Sequence, residues 1–283
     1  MSEHSTAQVF VFGMSHMIGL LKAVTTAPHA LSLDNWDSSS ATEFQLLDVQ
    51  PGLFPHDRIG ALVVSAQGWG GMAQLVTLDD QRREVRGEPG YIALLAGLQE
   101  RQQGAMLVSM LHGSSHTALS LVRHPQAYDF YLSGHEDLPF TAEAQPLPEA
   151  LVRRQLEPYL HSTIASLALA RMLLPDIRLV HVFPPPPITS EEQIRRVPEG
   201  FRAHLETYGV TPLALRLKYY LLANRIVREG TQALGLHIDF IDAPPETLDA
   251  DGGLREEYAA GASHANERYG ALLAQQLHAI SQG

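Results

Sequence analysis

The stretch Val9-Phe10-Val11-Phe12-Gly13-Met14-Ser15-His16 decides the fold class. Its first four residues form a compact run of β-branched and aromatic side chains that stops at Gly13. Beyond the turn, Met17, Ile18, Leu20, Leu21 and Val24 recur at helical spacing, so the segment reads as strand, tight turn and helix. Working outward, strand-type runs cover 43–49, 58–65, 106–111, 177–183 and 236–241, and helical patterns cover 91–103, 151–174, 213–234 and much of 255–280. Four consecutive prolines, Pro184 to Pro187, cannot continue a ladder, so the chain leaves the sheet there as a stiff extended segment. Alternating strands and helices imply an α/β fold, here a three-layer α/β/α sandwich with a short, mostly parallel sheet of about five strands. In such sheets ligands sit where strands end and loops begin. Residues 1–283 read as a single domain with a helical insertion around 138–175.

Composition narrows the function classes. Of 283 residues 45% are apolar, enough for a sizeable core, and 20 basic against 31 acidic residues leave a net charge of −11. Bulk nucleic acid and anionic membrane surfaces need a basic footprint, so neither is the expected partner. With zero cysteines there are no disulfides, thiolate metal sites or cysteine nucleophile. No basic segment precedes the apolar run at Val9, and no apolar stretch approaches the roughly 20 residues that span a bilayer. The chain therefore reads as soluble and cytoplasmic, with no membrane span.

Three loops at strand ends carry chemistry. In Gly13-Met14-Ser15-His16 a serine sits on a sharp turn with a helix N-terminus behind it. That placement suits a nucleophile and offers backbone N–H groups to a developing oxyanion; it equally suits a serine that caps the helix. The second loop, His112-Gly113-Ser114-Ser115-His116, follows the run 106–111. Gly113 lets a ligand approach the backbone and Ser114 offers a hydrogen bond, though polar turn chemistry explains the loop as well. In the third, His264 precedes a helical pattern containing Tyr269, Leu272, Leu273 and Leu277, as a general base facing Ser15 or as an exposed loop histidine.

Together, in this order, the loops resemble the SGNH/GDSL hydrolase superfamily, in a bacterial branch with a Gly-x-Ser-His first block. Gly13-Met14-Ser15-His16 is similar to that block. Gly113-Ser114-Ser115-His116 with Leu121-Val122-Arg123-His124-Pro125 resembles the third, where Gly-Gly-Asn-x-His is usual. His264-Ala265-Asn266 with Tyr269-Gly270 resembles the last, normally Asp-x-x-His followed by Asn and Tyr-Gly. The proline run and the helix at 215–219 also fit, so the resemblance covers essentially the whole chain.

The resemblance implies a serine esterase or acyl transferase acting on an ester or acetyl group of a small molecule or glycan, with Ser15 as nucleophile and His264 as base. Its oxyanion hole would use the Ser15 N–H, a glycine after the second strand and the Ser114 side chain. Gly52 is the expected glycine, with Gly68 and Gly70 as competitors. His16, Gly113 and His116 would line the substrate. Three positions depart from the family pattern. Met14 replaces a non-catalytic Asp, Ser114 replaces the oxyanion Asn, and Gly261 stands where the acid three residues before the histidine belongs. A Ser15–His264 dyad is then expected, with Asp249, Asp251, Glu256 or Glu257 as substitute acids. Restoring Gly261→Asp and Ser114→Asn together is expected to raise turnover. The competing reading is a catalytically weakened SGNH-like protein that binds a small molecule, glycan or protein partner in the former cleft.

Other features point to no cofactor. His112 and His116 lie four apart, but on an expected loop without a completing carboxylate, so no metal site is expected. No dinucleotide or phosphate-loop pattern appears in a strand–helix context. Gly68-Trp69-Gly70-Gly71 reads as a turn with Trp69 on the core or as a flexible binding loop. Glu191-Glu192 and Arg195-Arg196 read as a solvated face. The helix from Leu213 is apolar on more than one face, so it is either buried or a partner surface.

Overall fold

A computed structural model of the chain describes residues 9–28, 31, 44–53, 57–63, 75–79, 81, 84–101 and 104–282. The elements run β1 (Val9–Gly13), α1 (Met17–Val24), β2 (Gln45–Asp48), β3 (Arg58–Val63), β4 (Val76–Asp79), β5 (Glu84–Gly87), α2 (Pro89–Leu98), β6 (Met106–Met110), α3 (Ser115–Ser120), β7 (Tyr128–Asp129) and β8 (Gln145–Pro146). They continue with α4 (Glu149–Leu173), β9 (Arg178–Val182), α5 (Glu191–Arg196), α6 (Arg202–Tyr208), α7 (Leu213–Ala233), β10 (Asp239–Ile241) and α8 (Glu267–Ser281).

Six strands form the central sheet in the order β10-β9-β6-β1-β3-β2. Five of them are parallel, and β2 pairs antiparallel with β3 at one edge. The expected mostly parallel α/β sandwich is thus present, with one antiparallel edge strand added. Two small ladders, β4 with β5 and β7 with β8, lie outside the sheet and were not foreseen from the sequence pattern.

Both sheet faces are covered, which is why β1 reads as a continuous apolar run rather than an alternation. Phe10, Phe12 and Leu107 face a layer built from α2, α4 and α7, while Val9, Val11 and Val108 face α1 and α8. Each such fully buried side chain contributes about 1.5–3 kcal/mol. The helix α7 is of the buried kind, since Leu215, Leu217, Tyr219, Tyr220 and Leu222 all lie in the interior. Its Lys218 is buried too, paired with Asp129 at 2.9 Å. Among the described residues no helix is long and apolar enough to cross a membrane.

Counting only the parallel strands in chain order, the sheet reads 2-1-3-4-5. The chain moves outward one way from β1 to β3, then crosses back to β6, β9 and β10. The reversal falls between β1 and β6, where open α/β sheets form their ligand crevice. Ser15 follows β1 and Ser114 follows β6, so the two serines flank that point.

Candidate active site

The turn after β1 is held by backbone bonds. Met14 N donates to Met110 O at 3.2 Å, and Ile18 N donates to Ser15 O at 3.1 Å. Gly13 is required by close approach, because a Cβ there would lie 2.6 Å from both the Cβ and the carbonyl oxygen of Met110. The helix α1 begins without a side-chain cap. Ser15 Oγ instead lies 2.7 Å from His264 Nε2.

The meeting of these two residues, 249 positions apart, follows from how α1 packs on α8. A Cβ on Gly270 would sit 2.2 Å from Gly19 O, and one on Gly19 would sit 3.1 Å from Ala265 O and Asn266 O. Glycine at both positions lets the backbones approach closely and brings the N-terminal ends of the two helices together. Asn266 then fixes the loop that carries His264. Its Oδ1 accepts from Arg268 N and Tyr269 N, and its Nδ2 donates to Glu257 O at 2.8 Å.

The far side of the His264 ring meets an acid that the sequence reading passed over. His264 Nδ1 lies 2.8 Å from Glu199 Oε1, and Ser263 Oγ donates to Glu199 Oε2. Glu199 opens a one-turn 3-10 helix, Glu199–Phe201, just after α5. Its backbone adopts φ +51°, the left-handed region where a non-glycine residue is uncommon and costs about 1–3 kcal/mol. Partial burial pushes its carboxyl upward, but the bond to His264, the His264 charge and the Ser263 bonds outweigh that, and the net shift is downward from 4.5. The four acids expected as substitutes lie elsewhere: Asp249 binds Thr189 Oγ1, Asp251 lines a separate cavity, Glu256 pairs with Arg196 and Glu257 is exposed.

Gly261 makes room for this acid. A Cβ added there would lie 2.0 Å from Glu199 Oε1. The glycine therefore leaves room for a carboxylate that arrives from another part of the chain.

Ser114 heads α3 without capping it, and its Oγ lies 3.0 Å from His16 Nε2. The His16 ring is 4.9 Å from that of His264, centre to centre. Gly113 packs on Met14, where a Cβ would be 2.9 Å from Sδ. His116 lies in the first turn of α3 rather than on a loop, with its ring buried against Tyr220. His112 and His181 are also buried, with rings 6.1 Å apart. Burial holds all three neutral, with His116 and His181 pushed down to about 3. Among the described residues no three His, Asp or Glu side chains are arranged to hold a metal ion.

Gly52 is a correction. Because β2 is antiparallel, Asp48 pairs with Arg58 at the start of β3, and Gln50 N bonds Val24 O at the far end of α1. Gly52 thus lies at the rim opposite Ser15. Of β2 and β3, it is β3 that runs parallel to β1, with Gly13 paired to Val63. Gly68, Trp69, Gly70 and Gly71 follow it in sequence and fall outside the described residues. A cavity of about 590 Å³ opens near the β10 end, lined by Pro186, Tyr220, Asn224, Arg228 and Asp242, and none of Ser15, His264 or Glu199 borders it.

No family model and no curated protein matches the chain. Among solved structures it is similar to a candidate acylhydrolase from Bacteroides fragilis, at 9% identity and TM-score 0.39, over 97% of this chain and 86% of that one. A GDSL-like lipase from Bacteroides thetaiotaomicron gives 10% identity and TM-score 0.39, over 97% and 87%. A candidate arylesterase from Agrobacterium tumefaciens gives 16% identity and TM-score 0.37, over 98% and 99%. All three scores lie below 0.5.

Proposed function

We propose that the chain is a serine ester hydrolase or acyl transferase of the SGNH/GDSL kind, with Ser15 as nucleophile, His264 as base and Glu199 as the orienting acid. The observation that carries this reading is one unbroken line of contacts, Ser15 Oγ to His264 Nε2 at 2.7 Å and His264 Nδ1 to Glu199 Oε1 at 2.8 Å. A dyad becomes a triad through a residue absent from the family position.

The chemistry follows from that line. Glu199, ionised at neutral pH, accepts the Nδ1–H of His264 and so leaves the Nε2 lone pair facing Ser15. As Ser15 Oγ attacks the ester carbonyl carbon, His264 Nε2 takes its proton and the C=O electron pair moves onto oxygen. In this reading the Ser15 backbone N–H and the Ser114 hydroxyl are the donors for that oxygen. Collapse breaks the C–O bond to the alcohol, which leaves with the proton from His264. Water or an acceptor hydroxyl then repeats the sequence on the acyl-enzyme.

Hydrolysis of a short p-nitrophenyl ester tests the proposal. Turnover by the wild-type chain that disappears in folded Ser15→Ala supports it. Equal turnover by the two proteins, or none by a folded wild-type chain, contradicts it and favours a cleft that only binds its ligand.

A further inference from the structure

Ser114 stands where a serine ordinarily caps a helix, yet its Oγ accepts no backbone N–H of α3. Its hydrogen-bond partner is His16 Nε2, at 3.0 Å. The other ring nitrogen of His16, Nδ1, is buried and has no partner among the described residues. A neutral imidazole carries a single N–H. Placed on Nδ1, that proton would be a buried donor with no acceptor, a rare situation; placed on Nε2, it meets Ser114 Oγ. An unmatched acceptor lone pair is better tolerated than an unmatched donor.

The contact answers a question raised by the exchange of an amide for a hydroxyl. An amide nitrogen is a donor by its covalent structure. A serine hydroxyl both donates and accepts, and its proton rotates to suit its neighbours. A donor aimed at its oxygen fixes which way that proton points, and so favours donation to an oxyanion.

We propose that His16 is a positioning residue: its Nε2–H donates to Ser114 Oγ, which turns the Ser114 proton toward the carbonyl oxygen of the substrate as charge develops there. The inference rests on the serine-hydrolase reading above and deepens it by giving Ser114 a defined polarity. Donation into Oγ also polarises the hydroxyl and strengthens its own bond to the oxyanion. His16 has to remain neutral while His264, its ring neighbour, takes up the proton of Ser15. Burial first, then the nearby His264 and His116, hold it well below 6.5. Among the described residues His112 is a further titratable neighbour, itself buried and held neutral.

Two measurements test the proposal. In the ¹⁵N-labelled full chain, the His16 ring signals, assigned by their loss in His16→Gln, should show the Nε2–H tautomer from pH 5 to 9. An Nδ1–H tautomer or protonation in that range overturns the proposal whether or not the protein turns over esters. In kinetics, His16→Phe keeps an aromatic ring but no donor, and it should lower kcat about as far as Ser114→Ala, about 10²-fold. The double variant should lose no more than either single one, with KM and the acidic limb of the pH profile unchanged. His16→Gln, whose amide can donate, should recover most of the loss. Wild-type kcat in folded His16→Phe, or losses that multiply in the double variant, overturn the proposal while the Ser15→Ala result leaves the hydrolase standing. Turnover that survives in Ser15→Ala overturns the hydrolase reading and the oxyanion role of Ser114 with it.

Discussion

The start of α8 and the start of α1 lie side by side and use their polar side chains in opposite ways. At α8, Asn266 caps the helix with two backbone bonds and ties the preceding loop with its amide nitrogen. At α1 there is no side-chain cap, and Ser15 turns its hydroxyl to His264 instead. The start of α3 repeats the second pattern with Ser114 and His16. A cap contributes about 1 kcal/mol, so α1 and α3 each forgo roughly that amount. The difference lies in what a polar side chain at a helix start is turned to: backbone at α8, a histidine ring at α1 and α3. Asn266 stabilises the loop that holds the His264 ring in place, while each serine hydroxyl is turned to a histidine.

The largest loss is expected on removing the acid at the far side of the His264 ring. Glu199→Gln should lower kcat/KM by about 10⁴, the loss typical when an orienting carboxylate is removed from such a relay. A variant that keeps wild-type kcat/KM would leave His264 oriented by something else. Stability should respond to pH in a defined direction. The folded-state value of Glu199 lies below 4.5, so the native state holds fewer protons there than the unfolded chain. Its contribution is full above 4.5 and fades as pH falls through the folded value. The gap in melting temperature between wild type and Glu199→Gln should therefore be widest near neutrality and close in acid.

Next in size is the glycine that faces Glu199. Gly261→Asp should lower turnover, because its Cβ would meet Glu199 Oε1 at 2.0 Å and displace the carboxylate. A rise in turnover would show that the site accepts an acid from either place. The smallest effects separate cap from nucleophile. Asn266→Ala should cost about 1 kcal/mol or more in unfolding free energy, whereas Ser15→Ala should stay within about 0.5 kcal/mol of wild type. Equal losses in denaturant titrations would mean that Ser15 also serves as a cap.

Much of this arrangement is legible in the chain. The run Val9 to Phe12, its stop at Gly13 and the helical spacing beyond place Ser15 at a strand end, and Tyr269-Gly270 marks the helix that delivers His264. The error at Gly52 has a physical signal. Only residues 49–57 separate β2 from β3, too short for the crossover of about a dozen residues that parallel pairing needs. Glu199 is harder to read, since it sits in the turn Pro198-Glu199-Gly200 and reaches His264 only through a left-handed backbone angle. Its one trace in the sequence is the missing side chain at Gly261. The polarity of Ser114 depends on a buried tautomer and leaves no pattern in the sequence.

An activated hydroxyl on Ser15 can be trapped covalently. The full chain is treated with a fluorophosphonate and the adduct is located by peptide mass spectrometry. The account predicts one adduct, on Ser15, that forms far more slowly in Glu199→Gln and not at all in Ser15→Ala. A folded wild-type chain that takes up no label, or takes it up at another residue, would contradict it.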